Sequence, residues 1–175
     1  MKIIVTNDDG IYSPGILELK KAMESLGSVT LVAPDVQKSG VGHSITFSHP
    51  LRVRDVYANG DFIGYGIDGS PADCVKLAVR EILKERSQLL VSGINIGANV
   101  GINVLYSGTV AAAIEGALLG IPSVALSLEI SESAPDVKGA AETAKDIIAL
   151  IMRKELPRGT LLNVNIPYIS KDKIK

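Results

Sequence analysis

Apolar residues along this chain come mostly in short, dense runs separated by longer stretches with a helical period, and that alternation is the first thing the sequence states. Lys2 to Thr6 (KIIVT) reads as a buried strand, because β-branched residues run together until Asn7-Asp8-Asp9-Gly10 stops them. Pro14 to Leu26 then carries Ile16, Leu17, Leu19, Ala22, Met23 and Leu26 at helical spacing, with Gly27 as the terminator. Val29 to Ala33 (VTLVA) is the next strand, closing a βαβ unit that is parallel and right-handed by the twist of its strands. From Pro34 to Pro50 the periodicity disappears into a long loop rich in Ser, Gly and His, and long ordered loops in compact domains tend to be functional.

Leu51 to Val56 and Phe62 to Gly66, joined through Ala58-Asn59-Gly60-Asp61, predict a β-hairpin that interrupts the α/β alternation. Ser70-Pro71-Ala72-Asp73 opens a helix running to about Lys84, with Ser70 as cap and Asp73 reaching back. Leu89 to Ser92 is an apolar strand followed by a Gly- and Asn-rich loop from Gly93 to Tyr106. A helix start at Ser107 leads into the Ala-rich stretch Thr109 to Leu119, then come a strand at Ser123 to Leu128, an amphipathic helix around Val137 to Met152, and a last strand at Leu161 to Ile166. The expected fold is a single α/β domain over residues 1–175, Rossmann-like and doubly wound, with a mostly parallel sheet and an inserted β-hairpin.

Composition narrows the function classes. A 46% hydrophobic content in 175 residues suffices for one sizeable core. The formal net charge of −1, with both signs scattered, leaves no electrostatic footprint for a nucleic-acid polymer or an anionic membrane. No apolar run approaches the roughly 20 residues that span a bilayer. With a single cysteine, Cys74, and no charged-then-apolar leader, the expectation is a cytoplasmic protein without intrachain disulfides.

In an open parallel sheet, ligands gather outside the carboxyl ends of the strands. There this sequence places Asn7, Asp8 and Asp9 after the first strand, Ser39 beyond the second, and Asn95 after the strand ending at Ser92. Adjacent carboxylates repel unless a cation neutralises them, and a hard divalent ion such as Mg²⁺ or Mn²⁺ prefers such an all-oxygen set. Asp-Asp-Gly taken alone is also an ordinary turn and helix cap; its place at the carboxyl end of the first strand favours the metal.

Tyr106-Ser107-Gly108-Thr109 opens a helix whose N-terminal amides suit a phosphate, with Ser107 and Thr109 as hydroxyl donors or simply as caps. No Gly-Lys-Ser/Thr sequence is present, which excludes a P-loop. In the loop Ser39-Gly40-Val41-Gly42-His43-Ser44, His43 is a candidate proton donor to a leaving alkoxide, beside its plainer reading as a hydrogen-bonding loop residue. Asn99 and Asn103 are loop hydrogen-bonders or substrate contacts, and Cys74 is a core residue. A receiver-type phosphoacceptor domain also places paired acids after its first strand, but the middle position where it needs an acceptor Asp is Ser92-Gly93 here.

In this order the blocks Ile-Val-Thr-Asn-Asp-Asp-Gly, Ala-Pro-Asp, Ser-Gly-Val-Gly-His-Ser-Ile-Thr, Gly-Ser-Pro-Ala-Asp-Cys-Val, Ser-Gly-Ile-Asn-Ile-Gly-Ala-Asn and Tyr-Ser-Gly-Thr-Val-Ala-Ala-Ala resemble the survival protein SurE family of nucleotidases over nearly the whole chain. The resemblance implies a Rossmann-like phosphomonoesterase that removes phosphate from nucleoside 5′- and 3′-monophosphates, some members also acting on short polyphosphate. It implies one Mg²⁺ or Mn²⁺ per subunit on Asp8, Asp9, Ser39 and Asn95, with Gly40, Ser107, Gly108 and Thr109 around the phosphate and Asn99 nearby. Family members are usually homodimers or homotetramers. They commonly continue well beyond the point where this sequence ends, at Ile-Ser-Lys-Asp-Lys-Ile-Lys, so the expectation is a chain lacking the family's C-terminal extension. The alternative is a non-catalytic nucleotide- or metal-binding module, or an inactive fragment of the enzyme.

Overall fold

The computed structural model describes residues 1–130, 134–154 and 156–169; the closing residues 170–175 lie outside the described residues. Strands β1 (Lys2–Thr6), β2 (Ser28–Pro34), β3 (Val53–Ala58), β4 (Asp61–Ile67), β5 (Leu89–Ile96), β6 (Ser123–Leu128) and β7 (Leu161–Ile166) form one sheet in the order β3-β4-β2-β1-β5-β6-β7. All neighbours pair in parallel except β3 with β4. The helices are α1 (Pro14–Glu24), α2 (Pro71–Leu77), α3 (Asn103–Tyr106), α4 (Gly108–Leu118) and α5 (Val137–Lys154).

The short apolar runs are explained by burial on both faces of the sheet. Ile3 and Val5 of β1, with Leu89 and Val91 of β5, pack under α1 and α5 among Ile16, Leu19 and Ile148. Ile4 and Leu90 point the other way, toward Cys74, Val75, Ala112 and Ala113 of α2 and α4. Each fully buried Ile or Leu contributes about 1.5–3 kcal/mol, so the continuous pattern cannot be broken by a polar residue at modest cost. Among the described residues no helix is long and apolar enough to cross a membrane.

The elements follow the sequence expectations closely, including the hairpin, whose two-residue turn at Asn59 (φ 52°) and Gly60 (φ 89°) matches the right-handed twist of β3 and β4. Two differences bear on the site. Strand β5 does not stop at Ser92: its pairing with β6 breaks there and resumes at Asn95 opposite Ser127 and Ile96 opposite Leu128. The interruption is at Gly93 (φ 142°), where a Cβ would stand 2.4 Å from the Leu126 carbonyl oxygen, so the glycine that reads as a loop signal serves a close approach between strands and re-aims Asn95. The helix expected to run to about Lys84 is α-helical only to Leu77 and continues as a π-helical turn, Ala78–Ile82, with Leu83 N–H donating to the Ala78 carbonyl (2.9 Å). That wider turn lets Ile82 and Leu83 pack against the α2–α4 side of the core.

Candidate active site at the carboxyl ends of the central strands

Strands β1 and β5 are adjacent and level, Thr6 lying opposite Ser92, so Asn7, Asp8 and Asp9 emerge beside residues 93–96. The chain leaves β1 for α1 on one face of the sheet, whereas the crossover from β4 into β5 runs through α2 on the other. This is the switch point at which open α/β sheets bind ligands.

Asp8 is 4% exposed and lies against the first turn of α4, where the Thr109 hydroxyl donates to its Oδ1. Burial raises its pKa, while the Thr109 hydroxyl and the amides of Thr109 and Gly108 partly offset that by stabilising the anion. The approach depends on Gly108: a Cβ there would stand 2.8 Å from Asp8 Cβ and 3.0 Å from Pro71 Cγ. Asp9 is pushed up to about 6, first by burial and then by the charge of Asp8, against the opposing effect of the Ile96 amide. A buried and a part-buried carboxylate that raise one another's cost of ionisation favour a positive guest.

Asn95 donates its side-chain N–H to the Gly97 carbonyl (2.7 Å), which fixes the amide plane and turns Oδ1 away from that bond. The Ser39 loop is tied to the acids through the backbone, Lys38 N–H donating to the Asp8 carbonyl (2.7 Å). Ser39 itself is exposed and its Oγ accepts from Gln37 Nε2 (2.9 Å), and Gly40 beside it has φ 72°. Among the described residues no group of three or more His, Cys, Asp or Glu gathers, and a metal at Asp8 and Asp9 would have to draw on amide and hydroxyl oxygens as well. Such a donor set fits Mg²⁺ or Mn²⁺ and not a thiolate- or imidazole-loving metal.

Other expected site residues are placed in roles the sequence left open. Ser107 caps α4, its Oγ accepting from Val110 N–H (3.1 Å), and Thr109 holds Asp8, so in this structure the start of α4 supports a carboxylate. Asn99 is 8% exposed and anchored: its Nδ2 donates to Ser127 Oγ (2.9 Å), its N–H to Asn165 Oδ1 (2.8 Å), and its carbonyl accepts from Asn163 Nδ2 (2.8 Å) and Asn165 Nδ2 (3.3 Å). His43 meets a third carboxylate, Glu115 of α4. Its Nε2 lies 2.9 Å from Glu115 Oε2, about 10 Å along α4 from Gly108 at 1.5 Å per residue.

Sequence reasoning passed over Glu115, Asn163 and Asn165. The signals were present: a lone acid in an otherwise apolar helix, on the face shared by Gly108 and Ala112, and asparagines two apart in a strand.

Taken together, sheet order and acid pair define a doubly wound α/β domain with an oxygen-lined ligand site at its switch point. The family model for the survival protein SurE matches residues 3–175, and the chain belongs to that family. Among its relatives are the 5′-nucleotidase SurE of Syntrophobacter fumaroxidans, 46% identical over all of this chain and 70% of that protein, and that of Rhodopirellula baltica, 51% identical over 95% of this chain and 66% of that protein. The crystal structure of the SurE protein from Aquifex aeolicus superposes with a TM-score of 0.91 at 44% identity, covering all of this chain and 69% of that one. The chain thus spans about two thirds of the length of these relatives.

Proposed function

We propose that this chain is a divalent-metal-dependent phosphomonoesterase that hydrolyses nucleoside 5′- and 3′-monophosphates to nucleoside and phosphate, with Mg²⁺ or Mn²⁺ held one per subunit by Asp8, Asp9, Ser39 and Asn95. The observation that carries this reading is the pair of a buried Asp8 and a part-buried Asp9 at the switch point, with Asp9 raised to about 6 and the Asn95 side chain fixed on the neighbouring strand by the Gly97 carbonyl. The names of the relatives, 5′-nucleotidase SurE, support the substrate class.

When bound, the ion supplies positive charge that polarises the phosphoryl oxygens. The protein's share is to hold that charge in place. Thr109 and the amides at the start of α4 hold Asp8 in place and partly offset the burial that raises its pKa, and the Gly97 carbonyl keeps Asn95 oriented. Gly40, whose φ of 72° is a conformation that favours glycine, gives the loop beside Ser39 a backbone without a side chain in the way of a phosphate. Ser107, Gly108 and Thr109 border the phosphate from the α4 side, and Asn99 stiffens the intervening loop.

The same reading carries a homodimeric or homotetrameric assembly, supported by the exposed apolar side chains of Val100, Ile102, Leu105 and Tyr106, each 55–69% accessible. It also carries a cytoplasmic location, supported by the free, buried Cys74. The alternative to this reading is a nucleotide- or metal-binding module without turnover.

Phosphate release from nucleoside 5′- and 3′-monophosphates and an aryl phosphate, by metal-stripped protein with Mg²⁺ or Mn²⁺ added back, separates them. Metal-dependent release that prefers the nucleotides supports the enzyme, and metal binding without release supports the module.

A further inference from the structure

We infer that His43 is a positioning residue: its contact with the buried Glu115 ties the loop that carries Ser39 to α4, the same helix that holds Asp8. The inference rests on the metal site proposed above and adds a residue, Glu115, and a role to it. Glu115 lies on the buried side of an Ala-rich helix with only 7% of its side chain exposed, and a buried carboxylate is costly unless partnered. Its partners are His43 Nε2 at 2.9 Å and Lys76 Nζ at 3.4 Å, the latter on a half-exposed side chain. The closer contact belongs to the loop.

The loop is anchored on both sides of Ser39. Before it, Lys38 N–H donates to the Asp8 carbonyl (2.7 Å); after it, Gly42 N–H donates to the Tyr106 carbonyl (2.9 Å). His43 follows on Glu115, Ser70 Oγ donates to the Ser44 carbonyl (2.6 Å), and Thr46 donates twice to the Asp73 carboxylate through N–H (3.1 Å) and Oγ1 (2.7 Å). Between the anchors run Ser39, Gly40 and Val41, with Gly40 and Gly42 both at positive φ (72° and 56°), a stretch whose position is set by its ends. Helix α4 therefore serves as a common reference, with Asp8 on its first turn and the Ser39 loop two turns later. Loosening the second contact moves Ser39 while leaving Asp8 where it is.

The test uses the metal-free protein with Mn²⁺ alone, reading binding by electron paramagnetic resonance and loop order by amide hydrogen exchange. His43→Leu, and the double variant His43→Leu with Glu115→Leu that leaves no unpaired buried acid, are expected to weaken Mn²⁺ binding about tenfold, the scale of one hydrogen bond to a charged group. Exchange should quicken at residues 39–43 while the amides of Thr109 and Val110 keep their protection, which also shows that α4 is folded. His43→Gln, which retains an N–H donor, should restore Mn²⁺ binding, and excess metal should restore turnover to His43→Leu.

Unchanged Mn²⁺ affinity and exchange in both leucine variants overturn the inference. So does a His43→Gln protein that binds Mn²⁺ normally yet stays inactive at saturating metal, the signature of a lost proton donor. A wild-type protein that binds no Mn²⁺ overturns the metal site together with the inference; binding in the wild type with no change in the variants overturns the inference alone.

Discussion

Asp8 and Asp9 are neighbours in sequence with different surroundings, and their expected behaviour differs accordingly. Asp8 is held by the Thr109 hydroxyl and by backbone amides, which partly offset the burial that raises its pKa. Thr109→Val removes the hydroxyl donor and leaves that carboxylate short of a partner, at a cost of about 1.5–3 kcal/mol for a bond to a charged group. The expected result is a fall of about 10- to 100-fold in kcat/KM, with Thr109→Ser close to wild type, measured by steady-state phosphate release. Asp9, at about 6, has a folded pKa above its ordinary value of 3.8. A raised carboxylate favours the fold while protonated, so its contribution is fully present below about 3.8 and is lost as pH rises through about 6. In thermal melts of metal-free protein from pH 4 to 8, the wild type should therefore lose stability relative to Asp9→Asn over that window. Because a cation binds the deprotonated form, metal affinity should rise across the same interval.

At the scale of elements, the sequence was most readable where one physical cause dominated. β1, β6 and β7 run over the residues their apolar patterns predict, the first two because burial on both faces admits no other reading and β7 because its apolar residues pack along the sheet edge. Ser70 and Asp73 form the expected capping box, since a cap is a local interaction written in four residues. The acid pair was legible because a carboxylate cluster at a strand end has few physical justifications. What could not be read was tertiary pairing: Gly93 signals a loop until β6 is seen beside it, and nothing local in Glu115 reveals that a histidine 72 residues away covers it.

The start of α4 shows the same limit, because Ser-Gly-Thr fits an anion whether that anion is a phosphate or Asp8. Gly108→Ala tests the second partner directly. Its Cβ would meet Asp8 and Pro71 at 3.0 Å or less, an overpacking cost of about 1–3 kcal/mol. A lower melting temperature with weakened Mn²⁺ binding is expected. The asparagines of β7 give a third outcome at this scale. Replacing Asn163 and Asn165 by Leu leaves the Asn99 carbonyl without those donors, so KM should rise more than kcat falls, because the loop leading to Ser107 loosens while Asp8 and Asp9 stay in place.

As a whole, the molecule is a rigid sheet with one working end. The central strands are buried on both faces, and the candidate chemistry is confined to segments 7–13, 35–50 and 97–109, which follow the carboxyl ends of β1, β2 and β5. The exposed apolar run from Val100 to Tyr106 borders that end and is the surface to which the proposed assembly is assigned. Sedimentation velocity should then give a dimer or larger at micromolar concentration; a monomer would remove the apolar rim as an assembly face without touching the active-site account.

The central claim is that a divalent ion and a phosphate meet at the carboxyl ends of β1 and β5. Crystals grown with Mn²⁺ and phosphate, with diffraction recorded at the manganese absorption edge, address it most directly. One anomalous peak per chain is expected, bonded to Asp8, Asp9 and the Oδ1 of Asn95, with Ser39 and phosphate oxygens completing the shell. A peak elsewhere on the molecule, or none between the two aspartates at saturating Mn²⁺, would contradict it.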